Sequence, residues 1–262
     1  MRFVDAHIHL SDEEYAECTD EILADAKNAN IVAIVSNSLD LKTSMGSVKL
    51  AEKHQGTVFV ALGIHPWVVQ SLTDDELQQT LEYVLSQKDN KALVAIGEIG
   101  LDFKYEKVMD QQLRVFDEML HLAEKLDLPV VVHSRGMTEK IIEMLPSYKV
   151  KRVLLHWFSN LVSALPKAIE KGYYITEGPV TVYSNGIRDV VRKVPLANLM
   201  TETDGPVRYF KMPFNGKRTT PVFIPTVVKA IAEVKNVNSD DIARQLVSNF
   251  ETFFDVKLDL AD

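Results

Sequence analysis

Phe3-Val4-Asp5-Ala6-His7-Ile8-His9 is the stretch whose reading decides the fold: a short apolar run that ends in side chains able to bind a metal. Seven further runs of the same kind follow, at Ile31 to Val35, Val58 to Ile64, Leu93 to Ile96, Pro129 to Val132, Val153 to Leu155, Tyr173 to Ile175 and Asn198 to Met200. Short continuous apolar runs rich in Val and Ile read as strands of a parallel sheet buried on both faces. Amphipathic segments lie between them. Thr73-Asp74-Asp75-Glu76 reads as a capping box, opening a helix with Leu77, Leu81 and Val84 on one face. Leu113, Phe116, Leu120 and Ala123 mark a second helix, and Ile242, Leu246, Phe250 and Phe253 a third near the C-terminus. Eight strands alternating with helices over residues 1–262 predict a single α/β domain, a (β/α)8 TIM barrel, for which about 250 residues is typical. An open doubly wound sheet would carry a Gly-rich phosphate loop after the first strand, and this chain has none there. Val207 to Pro225 breaks the rhythm and is expected to form a long loop, functional or mobile.

Composition narrows the function classes. The chain has 29 Lys+Arg against 37 Asp+Glu, a formal net charge of -8 and one cysteine, Cys18. A lone cysteine excludes an internal disulfide framework and any CxxC site, and points to a reducing compartment, the cytoplasm. No apolar run approaches the ~20 residues that span a bilayer, and Asp5 interrupts the N-terminus before a signal-like region develops. Neither a membrane nor an obligate protein partner is therefore expected. The acidic balance argues against coating nucleic acid through the whole surface field, although a local basic patch remains possible.

The chemistry gathers at strand ends. His7 and His9 stand two residues apart on the first strand and so share a face, with Asp5 beneath them. Five of the seven histidines, His7, His9, His65, His133 and His156, stand at the C-terminal ends of predicted strands. Only His54 and His121 fall in predicted helices, as surface or capping residues. In a barrel the strand C-termini form the active-site face, so the five imidazoles should converge. Glu98, at the end of the fourth strand, and Asp204, at the end of the eighth, join them. Four histidines and two carboxylates supply enough ligands for two divalent ions, the arrangement of two-metal hydrolysis with ions roughly 3.5–4 Å apart. Imidazole-rich N/O ligation suits Zn or Mn and leaves Mg possible at an oxygen-rich position.

Six segments in order now resemble the TatD family of metal-dependent hydrolases, a branch of the amidohydrolase-type TIM barrels. They are Asp5-Ala-His7-Ile-His9, Gly63-Ile-His65-Pro66, Gly97-Glu98-Ile-Gly100-Leu-Asp102, His133-Ser-Arg135, His156-Trp-Phe158-Ser159 and Thr203-Asp204-Gly-Pro206. A weaker echo follows in Arg218 to Pro221 and Asn249-Phe250. The resemblance implies a bound metal pair and hydrolysis, with DNase activity the usual family label. It implies His7, His9 and Asp204 on one metal, Glu98 as the bridge, and His133 and His156 on the other. The departures fall beside the implied ligands. Trp157 stands where a small residue is common, Asn160 where Gly is, Gly136-Met137 where Asp-Ala is usual, and Arg218-Thr219-Thr220-Pro221 in place of Arg-Asn-x-Pro.

The resemblance implies a divalent-metal-dependent DNase or phosphodiesterase acting on nucleic acid, on single strands or 3' ends, through a water activated by the metal pair. Asp204 would orient that water and take its proton. His65 would touch the phosphate or the leaving group, or else hold a hydrogen bond behind the ligands. Arg135 would clamp a phosphate or simply stand on the rim. Arg208, Lys211, Lys217 and Arg218, interleaved with Tyr209, Phe210 and Phe214, form a loop suited either to follow a phosphate backbone, with Lys217 and Arg218 at the substrate, or to pack on the barrel. An esterase, amidase or aminoacyl-tRNA deacylase would use the same metal site, and a non-catalytic metal-binding interaction protein would keep the site without a reactive water.

Overall fold

The computed structural model describes residues 1–159 and 163–259, so Asn160 lies outside the described residues. The strands are β1 (Phe3–Ile8), β2 (Ile31–Asn37), β3 (Val58–Leu62), β4 (Leu93–Gly100), β5 (Val130–His133), β6 (Val153–Leu155), β7 (Tyr174–Glu177) and β8 (Leu199–Thr201). Each pairs in parallel with the next, in the order β1 to β8. The last strand returns to the first: Thr201 Oγ1 donates to the Val4 carbonyl at 2.8 Å, Asp204 N to His7 O at 2.9 Å, and His9 N to Gly205 O at 2.8 Å. These bonds close the predicted (β/α)8 barrel. Helices α1 (Thr19–Asn28), α2 (Leu41–Lys53), α3 (Asp74–Ser86), α4 (Met109–Leu126), α5 (Thr138–Met144), α6 (Ala164–Glu170), α7 (Asn185–Lys193), α8 (Ile224–Lys235) and α9 (Ser239–Phe254) alternate with the strands or follow the last of them.

Strand alternation sorts the core into two layers. Ala33, Val35, Ala61, Val131 and Leu154 belong to one buried cluster with Phe250, Phe253 and Phe254 of α9. Their neighbours Ile34, Val60, Leu62, Val130, Val132 and Leu155 pack instead with the aliphatic residues of the surrounding helices. Period two carries the first face from Val131 to His133 and from Leu154 to His156, so the barrel lining changes from apolar to imidazole within one step. At the strands' N-terminal ends, Asn249 Nδ2 of α9 donates to Leu196 O and Leu199 O, each at 2.7 Å, and Arg152 Nε donates to Phe253 O at 2.7 Å. The opposite end is left for the chemistry.

Local signals formed as their chemistry dictates. Glu76 N donates to Thr73 Oγ1 at 3.2 Å and Thr73 N to Glu76 Oε2 at 2.9 Å, the capping box expected at α3. Strand β4 runs past Ile96 to Gly100 and so includes Glu98. The loop expected over Val207 to Pro225 needs correction at its end. A 3-10 turn at Pro221–Phe223 leads into α8 at Ile224, because proline is tolerated in a first helical turn that needs no internal N–H donor. Nor is that loop a loose one. Tyr209, Phe214 and Phe223 are buried together, Tyr209 Oη donates to Thr203 O at 2.7 Å, and Tyr15 Oη donates to Thr219 O at 2.6 Å.

Gly100 shows how tightly β4 and β5 meet. Its φ is +145°, and a Cβ there would lie 2.0 Å from the His133 carbonyl oxygen. Gly100→Ala should therefore destabilise the protein by more than about 2 kcal/mol and displace His133, read as a lower denaturant midpoint together with reduced metal affinity.

Candidate metal centre and active site

Five imidazoles and two carboxylates from the ends of six strands meet at the barrel mouth, all buried. Glu98 divides them, because its two oxygens face different groups. Oε2 lies 3.2 Å from His7 Nε2 and 3.3 Å from His9 Nε2. Asp204 Oδ1 lies 3.4 and 3.5 Å from the same two nitrogens, which are themselves 3.3 Å apart. A tetrahedral ion with bonds of about 2.0–2.2 Å holds its ligands about 3.3–3.6 Å apart, so each carboxylate oxygen lies at ligand spacing from the His7 and His9 nitrogens. On the other side, Glu98 Oε1 lies 2.7 Å from His156 Nε2 and 3.0 Å from His133 Nδ1, which are 3.3 Å from each other.

Proton placement tests the fit. A neutral imidazole that binds a metal offers one lone pair and donates its other N–H. His9 Nδ1 donates to Asn37 O at 3.0 Å, leaving Nε2 for the centre. His133 Nε2 donates to Asp102 Oδ2 at 3.1 Å, leaving Nδ1. His156 Nδ1 faces Glu202 Oε2 at 3.5 Å, too long for a full hydrogen bond but close enough for charge attraction, and leaves Nε2. His7 turns Nε2 inward, while its buried Nδ1 has no hydrogen-bond partner among the described residues. His9 and His133 thus meet the condition for a metal-binding imidazole in full, His156 loosely, and His7 turns Nε2 inward with no partner for its other nitrogen among the described residues.

His65 is different. Its Nδ1 accepts from Trp67 N at 3.0 Å, so the neutral ring carries its proton on Nε2, 3.2 Å from Glu98 Oε1. Burial outweighs the attraction of Glu98 and lowers its pKa to about 4, which keeps it neutral.

The electrostatics follow from burial. Burial alone would raise the Glu98 pKa, yet His156, His65 and His7 hold it well below the carboxylate range. Asp204 is likewise lowered against burial, by His7 and His9. Burial opposes charge on His9, but Asp204 and Glu98 push it up to about 10 in the metal-free protein, and Glu98 and Glu202 raise His156 in the same way. A divalent ion takes the place of such protons. Metal affinity should therefore climb with pH up to about 10 at His9 and weaken on acidification, and calorimetry in buffers of different ionisation enthalpy should record net proton release at neutral pH.

Several contributors escaped the sequence reading. Asp102 Oδ2 accepts from Trp67 Nε1 at 2.8 Å as well as from His133, and its backbone N–H is fixed by Gln112 Oε1 at 2.8 Å. Glu202 stands behind His156, with Thr176 Oγ1 donating to it at 2.5 Å. Asp102 and Glu202 sit within quoted segments, but strand periodicity does not reveal which ring each would face. Asp5 does not orient a histidine ring. It accepts from Thr203 N at 3.0 Å and Thr203 Oγ1 at 2.5 Å and ties β1 to the end of β8. Asp102→Asn should lower metal affinity by about 10- to 100-fold in a direct binding measurement.

Glu177, at the end of β7, is fully buried, and neither carboxylate oxygen has a hydrogen-bond partner among the described residues. Burial and the Glu202 charge raise its pKa well above the ordinary value, with His156 only partly opposing. The folded chain then keeps a proton that the unfolded chain releases near pH 4 to 5, about the free glutamate value, so stability falls as pH rises from there toward the folded pKa. Glu177→Gln should match the parent near pH 4 and exceed it in stability at pH 8, by chemical denaturation at both.

A cavity of about 590 Å³ opens over the centre, with His65, Glu98, His133, His156 and Asp204 in its floor and Trp67, Arg135, Trp157 and Val207 in its wall. Arg135 thus reaches the site. Lys217 and Arg218 do not line it, and the reason is packing. With Tyr209 and Phe214 buried, the loop lies against the barrel, and Arg218 Nη1 turns to Cys18 Sγ at 2.7 Å. Arg208 pairs with Glu14, and the Lys211 ammonium lies 5.3 Å above the Tyr183 ring. His54 and His121 stay outside the site, with Asp20 and Glu124.

A (β/α)8 barrel with a His/Asp/Glu centre at its strand C-termini is the architecture of metal-dependent hydrolases. The family model for TatD related DNase matches residues 4–255. The metal-dependent hydrolase YjjV of Escherichia coli K12 is 32% identical over 262 residues, covering 97% of this chain and 98% of its own. The human deoxyribonuclease TATDN3 is 31% identical over 259 residues, covering 94% and 92%. The crystal structure of Escherichia coli YjjV, a TatD homolog, superposes with a TM-score of 0.90 at 31% identity, over 98% of this chain and 99% of that one. The chain belongs to the TatD-related DNase family of metal-dependent hydrolases. No helix among the described residues is long and apolar enough to cross a membrane.

Proposed function

We propose that this protein cleaves phosphodiester bonds in DNA, with one divalent ion held by His7, His9, Glu98 and Asp204 and a second by Glu98, His133 and His156. The observation that carries this reading is the Glu98 carboxylate, which gives a separate oxygen to each group of nitrogens. The side rich in imidazole suits Zn or Mn, and the side with two carboxylates also accepts Mg. The name of the human relative, a deoxyribonuclease, supports the substrate class. The cavity over the centre, about 590 Å³, is of the size that takes a small ligand, which supports a single strand or a strand end as substrate. The lone cysteine favours a cytoplasmic setting.

When bound, the metal pair polarises a phosphoryl oxygen and makes water acidic enough to react near neutral pH. The chain's own groups arrange the remainder. Asp204, ionised and in the cavity floor, orients the attacking water and accepts its proton on a carboxylate oxygen. His65 donates from Nε2 to Glu98 and fixes the plane of the bridging carboxylate. Asp102 holds the His133 ring so that Nδ1 faces inward. Arg135, which makes no ion pair among the described residues, offers its guanidinium to a phosphate at the rim.

Metal-loaded protein assayed on single-stranded DNA, a phosphodiester reporter and a panel of acyl esters tests the assignment. Both phosphodiesters should be cleaved, at a rate lowered by about 100-fold or more in Asp204→Asn. Turnover confined to the acyl esters would replace this reading with an esterase or deacylase.

A further inference from the structure

Trp67 is a large apolar side chain left 44% exposed, and among the described residues it alone both has that character and lines the cavity. Exposed apolar side chains ordinarily move, but this one is fastened. Its Nε1–H donates to Asp102 at 2.8 Å, its backbone N–H to His65 at 3.0 Å, and its ring stands against the His65 ring with centroids 4.6 Å apart at 75°. Both N–H groups of the residue are therefore used inside the protein, while part of the indole surface stays open to the cavity. Holding an aromatic surface rigid in advance removes the ordering cost of binding to it.

The position matters as much as the rigidity. His65 and His133, with ring centroids 4.6 and 6.1 Å from that of Trp67, both contact Glu98, so the indole lies one side chain away from the reacting centre. Arg135 in the same wall supplies a cation for a phosphate. An anion site flanked by a fixed aromatic surface matches a nucleotide, whose base stacks while its phosphate is held.

We propose that Trp67 is the base-stacking surface of this site and takes the nucleobase adjoining the scissile phosphate. The proposal rests on the phosphodiesterase reading above, and it makes the contact independent of base identity, because every base presents a π-face. Trp67→Ala should raise KM for a single-stranded oligonucleotide about tenfold or more, while Trp67→Phe, which keeps a ring but loses the N–H to Asp102, should retain most of the affinity. On an oligonucleotide abasic on both sides of the scissile phosphate, Trp67→Ala should act like the parent. Equal losses on substrates with and without bases would reduce Trp67 to a support for His65 and Asp102 and overturn the proposal, as would an unchanged KM on the oligonucleotide.

A second readout does not depend on turnover. The chain has two tryptophans, so in Trp157→Phe all the indole emission comes from Trp67. Titration of metal-loaded Trp157→Phe with a nucleoside monophosphate should quench that emission, and ribose phosphate should not. Failure to cleave any nucleic acid would refute the phosphodiesterase reading alone. Absence of quenching by the nucleotide would refute the stacking surface whatever bond the enzyme breaks.

Discussion

Burying the Glu98 carboxylate is the constraint on which the barrel mouth depends. An ionised carboxylate removed from water costs several kcal/mol unless its oxygens are matched by charge and hydrogen bonds. Here the matching groups come from β1, β5, β6 and the segment after β3, so four parts of the chain must be in register for one side chain to be tolerated. The apolar alternation of the strands achieves that register, and the polar centre inherits its geometry from it. Stability and chemistry therefore draw on the same strand pairing, with the aromatic cluster of α9 at one end and the imidazole cluster at the other.

The supporting groups are distributed unequally. His133 and His156 are each backed by a carboxylate, Asp102 and Glu202, whereas His9 is backed by a backbone carbonyl and His7 by nothing among the described residues. A carboxylate behind an imidazole makes it a stronger electron donor. The side without such backing instead has the Asp204 carboxylate facing His7 and His9 directly. Negative charge is thus supplied directly on one side and through the rings on the other, as the proposed pair of cations requires.

Much of this was legible in the sequence because barrels place chemistry by rule. Period-two alternation and the preference for strand C-termini were enough to bring His7, His9, His65, Glu98, His133, His156 and Asp204 together. What they could not supply was the direction of each ring. The distinction between His65 and the other four histidines rests on one backbone N–H, that of Trp67, and no residue spacing encodes it. The loop after β8 was ambiguous for a related reason. Its basic and aromatic residues fit a strand of nucleic acid as well as they fit the barrel surface, and the structure buries Tyr209, Phe214 and Phe223 while leaving Phe210 exposed. Exposed Trp67 carried no pattern at all in a sequence read for periodicity.

The closure of β8 on β1 sets a condition in time as well as in space. His7 and His9 leave the ribosome well before Asp204, whose backbone N–H bonds to His7 O. A growing chain can show a pair of imidazoles to the cell's metal ions long before it can show a finished coordination shell. Loop closure across so much sequence is slow, so the complete site appears only with the complete barrel. On the proposed ligand set, the last carboxylate of the shell is in place only when β8 has closed on β1.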